Sequence, residues 1–221
     1  MGDMGDSRDD ILGRMRRRLG RTAENATAGR AAIDAVLARR AQGPRPDVGQ
    51  DLLARFIARA ETAASTVDTV ACLAEAPAAV ARYLDAQKLP RAAVAWPELA
   101  GLDWAGAGLD VGCRAATGED LTGITGVFCA VAETGSLMVL SGPETLASTS
   151  LLPETHIALV PASRIVAGME EAWQLIRHAA GELPRAVNFI SGPSRTGDIE
   201  QTLVLGAHGP YRVHIVVVSG Q

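Results

Sequence analysis

The chain has 221 residues, 48% of them hydrophobic but only 4% aromatic, and 21 basic against 25 acidic side chains leave a formal charge of −4. That length holds one large domain, or a smaller one with a helical arm, and the mild acidity argues against a basic groove for nucleic acid or a polybasic membrane patch. The apolar mass is mostly Ala, Val and Leu, which suits helices packed on a sheet better than an all-β shell.

Residues 7–41 place Ile11, Met15, Leu19, Ile33, Val36 and Leu37 among arginines at helical spacing, which predicts two short amphipathic helices. The arginines at 14–21 are largely offset by Asp3, Asp6, Asp9 and Asp10, so a solvated face is expected there rather than a nucleic-acid patch. QGPRPDVG at 42–49 breaks the pattern and divides the chain into a helical arm, 1–43, and an α/β domain, 44–221. DLLARFIARAETA resumes as a helix, followed by a strand in STVDTVACL, a helix in EAPAAVARYLDAQ and a strand in RAAVAWP.

In DLTGITGVFCAVAETGSLMVLSG two apolar runs are too close for a crossover helix, so an inserted antiparallel β-hairpin is expected. Beyond it, THIALVP reads as a strand, GMEEAWQLIRHAA as a helix and AVNFISG as a strand. SRTGDIEQTLVL is expected to begin as a helix, and YRVHIVVVS is the most continuous strand. IALV and HIVVV are apolar at successive positions, as in strands covered on both faces, and the whole predicts a three-layer open, mostly parallel sheet.

Cys72, Cys113 and Cys129 are widely spaced and form no C-x-x-C pair, so neither zinc nor an iron–sulfur cluster is expected on this chain. The N-terminus carries no apolar signal-peptide core, and no apolar run reaches the roughly 18 residues of a membrane span. A reducing, cytoplasmic setting fits both observations. No Walker pattern and no G-x-G-x-x-G after a strand is present, and Ser136 lacks a G-x-S-x-G elbow.

Two loops are alike: IALV runs into Ser163-Arg164 and VNFI runs into Ser194-Arg195. Each is expected to leave the C-terminal end of a parallel strand, where open α/β sheets bind ligands. In Ser191-Gly192-Pro193-Ser194-Arg195-Thr196-Gly197-Asp198, a following helix would offer free N–H groups and a guanidinium to a carboxylate or phosphate. The alternative is structural, with Ser194 or Thr196 as a helix cap and Arg195 paired to Asp198 or Glu200. Strand alternation sets Glu133 on the face of Cys129 and Val131, where partial desolvation favours proton transfer or nucleophilic attack; the alternative is a solvated turn. His208, in a glycine-flanked loop, is either an acid–base group or incidental.

AVAETGSLMVLSGP, SLLPETHIALVPASRIV and NFISGPSRTGDIEQTLVLGAHGPYRVHIVVV together resemble the LUD-domain family of lactate-utilisation proteins, from about residue 45 to the end. The resemblance implies the open α/β fold shared with ribose-5-phosphate isomerase and CoA transferases. It also implies a non-redox role in oxidising L-lactate to pyruvate, beside partner proteins that carry the iron–sulfur clusters. The family's ETG turn falls on Glu133, Thr134 and Gly135, its SGPSRT-x-DIE loop on Ser191 to Glu200, and its HGP element on His208 to Pro210. One departure is Phe128, in GVFCAVAETG, where the family pattern leads us to expect Asp or Asn. Two further readings stay open: an acyl or CoA transferase or isomerase with Glu133 as nucleophile or base, and an assembly or regulatory module.

Overall fold

The computed structural model describes residues 4–179, 183–196, 204–206 and 208–220. The chain divides into two compact units, Met1–Arg45 and Pro46–Gln221.

The first unit is a pair of helices, α1 (Met4–Arg18) and α2 (Ala23–Arg39). Between them Gly20 takes a φ of +60°, and Thr22 and Asn25 satisfy each other's backbone N–H groups in a capping box. No described side chain of residues 7–45 is buried.

The second unit begins with α3 (Leu52–Thr62), capped by Asp51, whose Oδ1 accepts from the Ala54 N–H at 2.9 Å. Then follow β1 (Thr66–Val70), α4 (Ala76–Ala86), β2 (Ala92–Ala95), β3 (Asp110–Cys113), β4 (Thr122–Thr125), β5 (Cys129–Val131), β6 (Ser136–Leu140), α5 (Ser148–Leu151), β7 (Thr155–Pro161), β8 (Ile165–Val166), α6 (Met169–Ala179), β9 (Val187–Ile190), β10 (Arg195–Thr196), β11 (Val204–Leu205) and β12 (Arg212–Val218).

Six strands, in the order β1-β12-β7-β4-β2-β3, form a wholly parallel main sheet. Ile157, Val160, Ile215, Val216 and Val217 are buried along its middle because both faces are covered, as their unbroken apolar runs require. On one side α5 presses so closely that a methyl group on Gly123 would lie 2.0 Å from the Thr149 carbonyl oxygen. Tyr83 of α4 stacks on His214 of β12, with ring centroids 3.9 Å apart.

A second sheet, in the order β8-β5-β6-β9, makes the β5–β6 hairpin half of a four-stranded layer. Its Ala130, Leu137, Val139 and Ile165 join the core of the main sheet, while Cys129, Val131 and Met138 face Ala172 and Ile176 of α6. The three-layer α/β architecture matches the sequence reading, and two details differ from it. VNFI is a strand, but it runs antiparallel to β6 in the second sheet instead of extending the parallel one. Arg195–Thr196, at the start of the segment expected to be helical, instead pairs antiparallel with Val204–Leu205, and 197–203 between them lie outside the described residues; β-branched Thr196 and Val204 suit this ribbon. Two strands absent from the reading, β3 and β4, are short and rich in glycine and threonine, and their apolar pattern is correspondingly weak.

Candidate functional site

The ETG turn and the SGP loop meet at one place. Antiparallel pairing of Leu137 with Ile190 brings Ser136, at the head of β6, opposite Ser191, just past the end of β9. Their hydroxyl oxygens lie 2.6 Å apart, and Thr134 Oγ1 lies 2.7 Å from Ser136 Oγ. Three hydroxyls thus form a chain from the turn to the loop, with Ser136 wholly buried at its centre and Thr134 and Ser191 exposed at its ends.

Both segments are seated on the last turns of α3 by glycines. Gly135 has a φ of +69°, and a methyl group there would lie 2.3 Å from the Ala60 nitrogen. At Gly192, with a φ of +77°, it would lie 1.9 Å from the Ala63 carbonyl oxygen. Only glycine combines the left-handed backbone with that approach. Glu133, in the same turn, is half-buried, and its N–H donates to the Ala167 carbonyl at 3.0 Å.

The HGP element closes on the same loop. The Ser194 N–H donates to the Pro210 carbonyl at 2.9 Å, the Gly206 N–H to the Ser194 carbonyl at 3.0 Å, and the His208 N–H to Ser194 Oγ at 3.4 Å. The side chains of His208 and Arg195 are exposed. Asp198 lies outside the described residues, and of Thr196 the strand pairing alone is described.

All of this lies at the amino edge of the main sheet, since Pro210 precedes β12 and Ala63 precedes β1 by only a few residues. Arg212, at the first position of β12, was not singled out from the sequence. Its guanidinium lies over the Tyr211 ring, 5.1 Å from the centroid, and donates to Thr155 Oγ1 at 3.4 Å. With Gly206, Gly209 and Tyr211 it lines a cleft of about 360 Å³. An arginine at a strand start beside a glycine-rich loop was the available signal.

Ser163 and Arg164 lie elsewhere. They form an exposed turn after Pro161, at the carboxyl edge, separated from the amino edge by the seven residues of β7, about 20 Å. The expected pairing of the two Ser-Arg loops on one rim therefore does not occur, because β9 ends at the amino edge and β7 at the carboxyl edge. Arg164 is instead close enough to Cys129 to act on its thiol, which burial pushes up to about 11 while the guanidinium pulls it down.

The carboxyl edge has its own acidic group. The chain leaves β2 toward β3 on one side and leaves β4 toward β7 on the other, so the topological switch point lies between β2 and β4. Glu98, just after β2, reaches over Gly126, just after β4; a methyl group on Gly126 would lie 2.6 Å from its Oε1. Desolvation, and then the charge of Glu144, raise the Glu98 carboxyl above its ordinary range. Its place after a strand end was the only hint in the sequence. Among the described residues no group of His, Cys, Asp and Glu is placed to hold a metal ion.

Chemically, the amino-edge arrangement offers hydroxyl donors and guanidinium groups to an anion, with a half-buried carboxylate alongside.

A family model described as the LUD domain matches residues 103–218, just over half of the chain. Lactate utilization protein C of Shouchella clausii is 45% identical over 99 residues, 44% of this chain and 43% of its own length. Lactate utilization protein C of Bacillus subtilis is 41% identical over 100 residues, 44% of this chain and 42% of its own. The matched segments therefore cover less than half the length of these curated relatives. Among solved structures, a DUF162 family protein from Deinococcus radiodurans superposes with a TM-score of 0.57 at 23% identity, covering 76% of this chain and 97% of that one, a likeness of fold. From the matched span and the fold together, the chain belongs to the LUD domain family.

Proposed function

We propose that the chain is a non-redox component of an L-lactate utilisation system, in which L-lactate is oxidised to pyruvate and the iron–sulfur clusters reside on partner proteins in the cytoplasm. The observation that carries this reading is the identity, 38–45% in several cases, to proteins named lactate utilization protein C. Within that role the amino-edge cluster of Thr134, Ser136, Ser191, Ser194 and Arg195, with Arg212 beside it, binds a small carboxylate or another anion. Deleting the gene should abolish growth on L-lactate as sole carbon source, with recovery when the gene is restored; undiminished growth excludes the role.

A second reading draws on the half-buried position of Glu133 beside the hydroxyl chain. Here the chain is an acyl or CoA transferase with Glu133 as nucleophile. Trapping with borohydride or hydroxylamine after incubation with a thioester panel would reveal a Glu133 adduct, and its absence across the panel counts against this chemistry.

A further inference from the structure

The two-helix unit is built like half of an interface. Ile11, Met15, Leu19, Ile33, Val36 and Leu37 are all exposed, from 45% at Ile33 to 67% at Leu37, and no described side chain of residues 7–45 is buried. Two helices of 15 and 17 residues without a core are marginal in water, so their apolar faces call for an external surface. The unit also lies outside the stretch matched by the family model, which begins at residue 103.

Its charge restricts what that surface is. Residues 1–45 hold ten arginines and six acids, a surplus of four positive charges, whereas residues 46–221 hold 11 basic and 19 acidic groups, a surplus of eight negative ones. Two such helical units repel each other. The Pro46–Gln221 unit, by contrast, exposes an apolar patch of the complementary kind, with Leu121 at 44%, Leu151 at 40% and Leu152 at 58% exposure. The Thr155 N–H donates to the Leu121 carbonyl at 3.0 Å, which holds these leucines at the same amino edge of β4 and β7. Asp110 and Glu119 line a cleft with Leu121; Asp120 is already engaged by Arg114, and exposed Glu154, two residues past Leu152, lies 3.9 Å from Arg212.

We propose that the helical unit of one copy seats on the Leu121–Leu151–Leu152 patch of a second copy, its arginines facing Asp110 and Glu119. Reciprocal exchange closes a symmetric dimer with two equal contacts. Leu152 also borders the Arg212 cleft, so the seated unit stands beside the candidate anion site.

Sedimentation velocity of the full chain tests this. The wild type should dimerise at about 50 mM salt and lose about tenfold or more of its association constant at about 500 mM, where exposed charges are screened. Three variants should each be monomeric: Val36→Asp with Leu37→Asp, Arg16→Glu with Arg17→Glu, and Leu121→Asp with Leu152→Asp. Their circular dichroism should keep the signal of the Pro46–Gln221 unit and lose at most helicity from α1 and α2, because the substituted positions are exposed and those two helices lose the surface that supports them. Mixing either helical-unit variant with the patch variant should regain a dimer through the one intact contact. A wild type that stays monomeric at both salts, a dimer that survives the variants, or a mixture that fails to pair overturns the proposal, whether the true occupant is an acidic protein of another kind or the chain's own patch.

Discussion

Ser136 and Ser191 share a hydrogen bond of 2.6 Å between a fully buried hydroxyl and an exposed one, on residues 55 positions apart in sequence. Thr134 extends the chain at 2.7 Å, so donation can run in one direction from Thr134 through Ser136 to Ser191 and out toward a bound anion.

Ser136→Ala should break the chain in the middle. Each lost hydrogen bond is worth about 1 kcal/mol, so the variant should be destabilised by roughly 1–2 kcal/mol in denaturant unfolding. Its stabilisation by an added anion should fall as well, because the Ser191 hydroxyl is no longer oriented. An unchanged midpoint together with an unchanged ligand response would show that the chain is incidental.

Gly135→Ala and Gly192→Ala test how both segments are seated on α3. Each alanine would meet backbone atoms, of Ala60 in α3 or of Ala63 that caps it, at a position that also demands a left-handed φ. The conformational cost of about 1–2 kcal/mol adds to overpacking of about 1–3 kcal/mol. Each variant should therefore lose roughly 2–5 kcal/mol in chemical denaturation, while Gly29→Ala, on the exposed face of α2 with open space around it, should lose nothing.

The layers were legible in the sequence because the long apolar runs in β7 and β12 and the spacing of Phe56, Leu84 and Ile176 report burial directly. Motif segments were legible as segments, but their shared edge was not. VNFI carries the same apolar signal in an antiparallel layer as it would in a parallel one, so nothing local shows that β9 ends at the amino edge and β7 at the carboxyl edge. Ser136 looked inert because its role depends on a partner 55 residues away, and Arg212 because it opens a strand that otherwise reads as core.

Arginine substitutions should separate the two edges. Ligand at one hundred times Kd stabilises a folded protein by about 2.7 kcal/mol, and thermal shift with lactate, pyruvate and phosphate measures that gain. Arg195→Ala and Arg212→Ala should each abolish most of it. Arg164→Ala, a β7-length away, should leave it intact; a loss confined to Arg164→Ala would move the anion site to the carboxyl edge.

Two buried histidines should govern acid stability. His156 holds Thr125 Oγ1 through Nε2 at 2.8 Å, and His214 holds Thr66 Oγ1 through Nδ1 at 2.8 Å while stacking on Tyr83. Burial lowers both from 6.5 to about 4, so the native state keeps them neutral while the unfolded chain takes up protons first. More protons bound in the unfolded state means that stability rises with pH. The histidine contribution is therefore fully present above about pH 6.5, drains away as the pH falls toward 4, and is constant below. At 1.36 kcal/mol per pH unit, each residue removes at most about 3.4 kcal/mol across that window. His214→Phe retains the stack on Tyr83 and removes one titrating group, so urea unfolding between pH 4 and pH 6.5 should show close to half the wild-type slope. An equal slope in the variant would mean that His214 is protonated in the native state and that the acid sensitivity comes from the carboxylates.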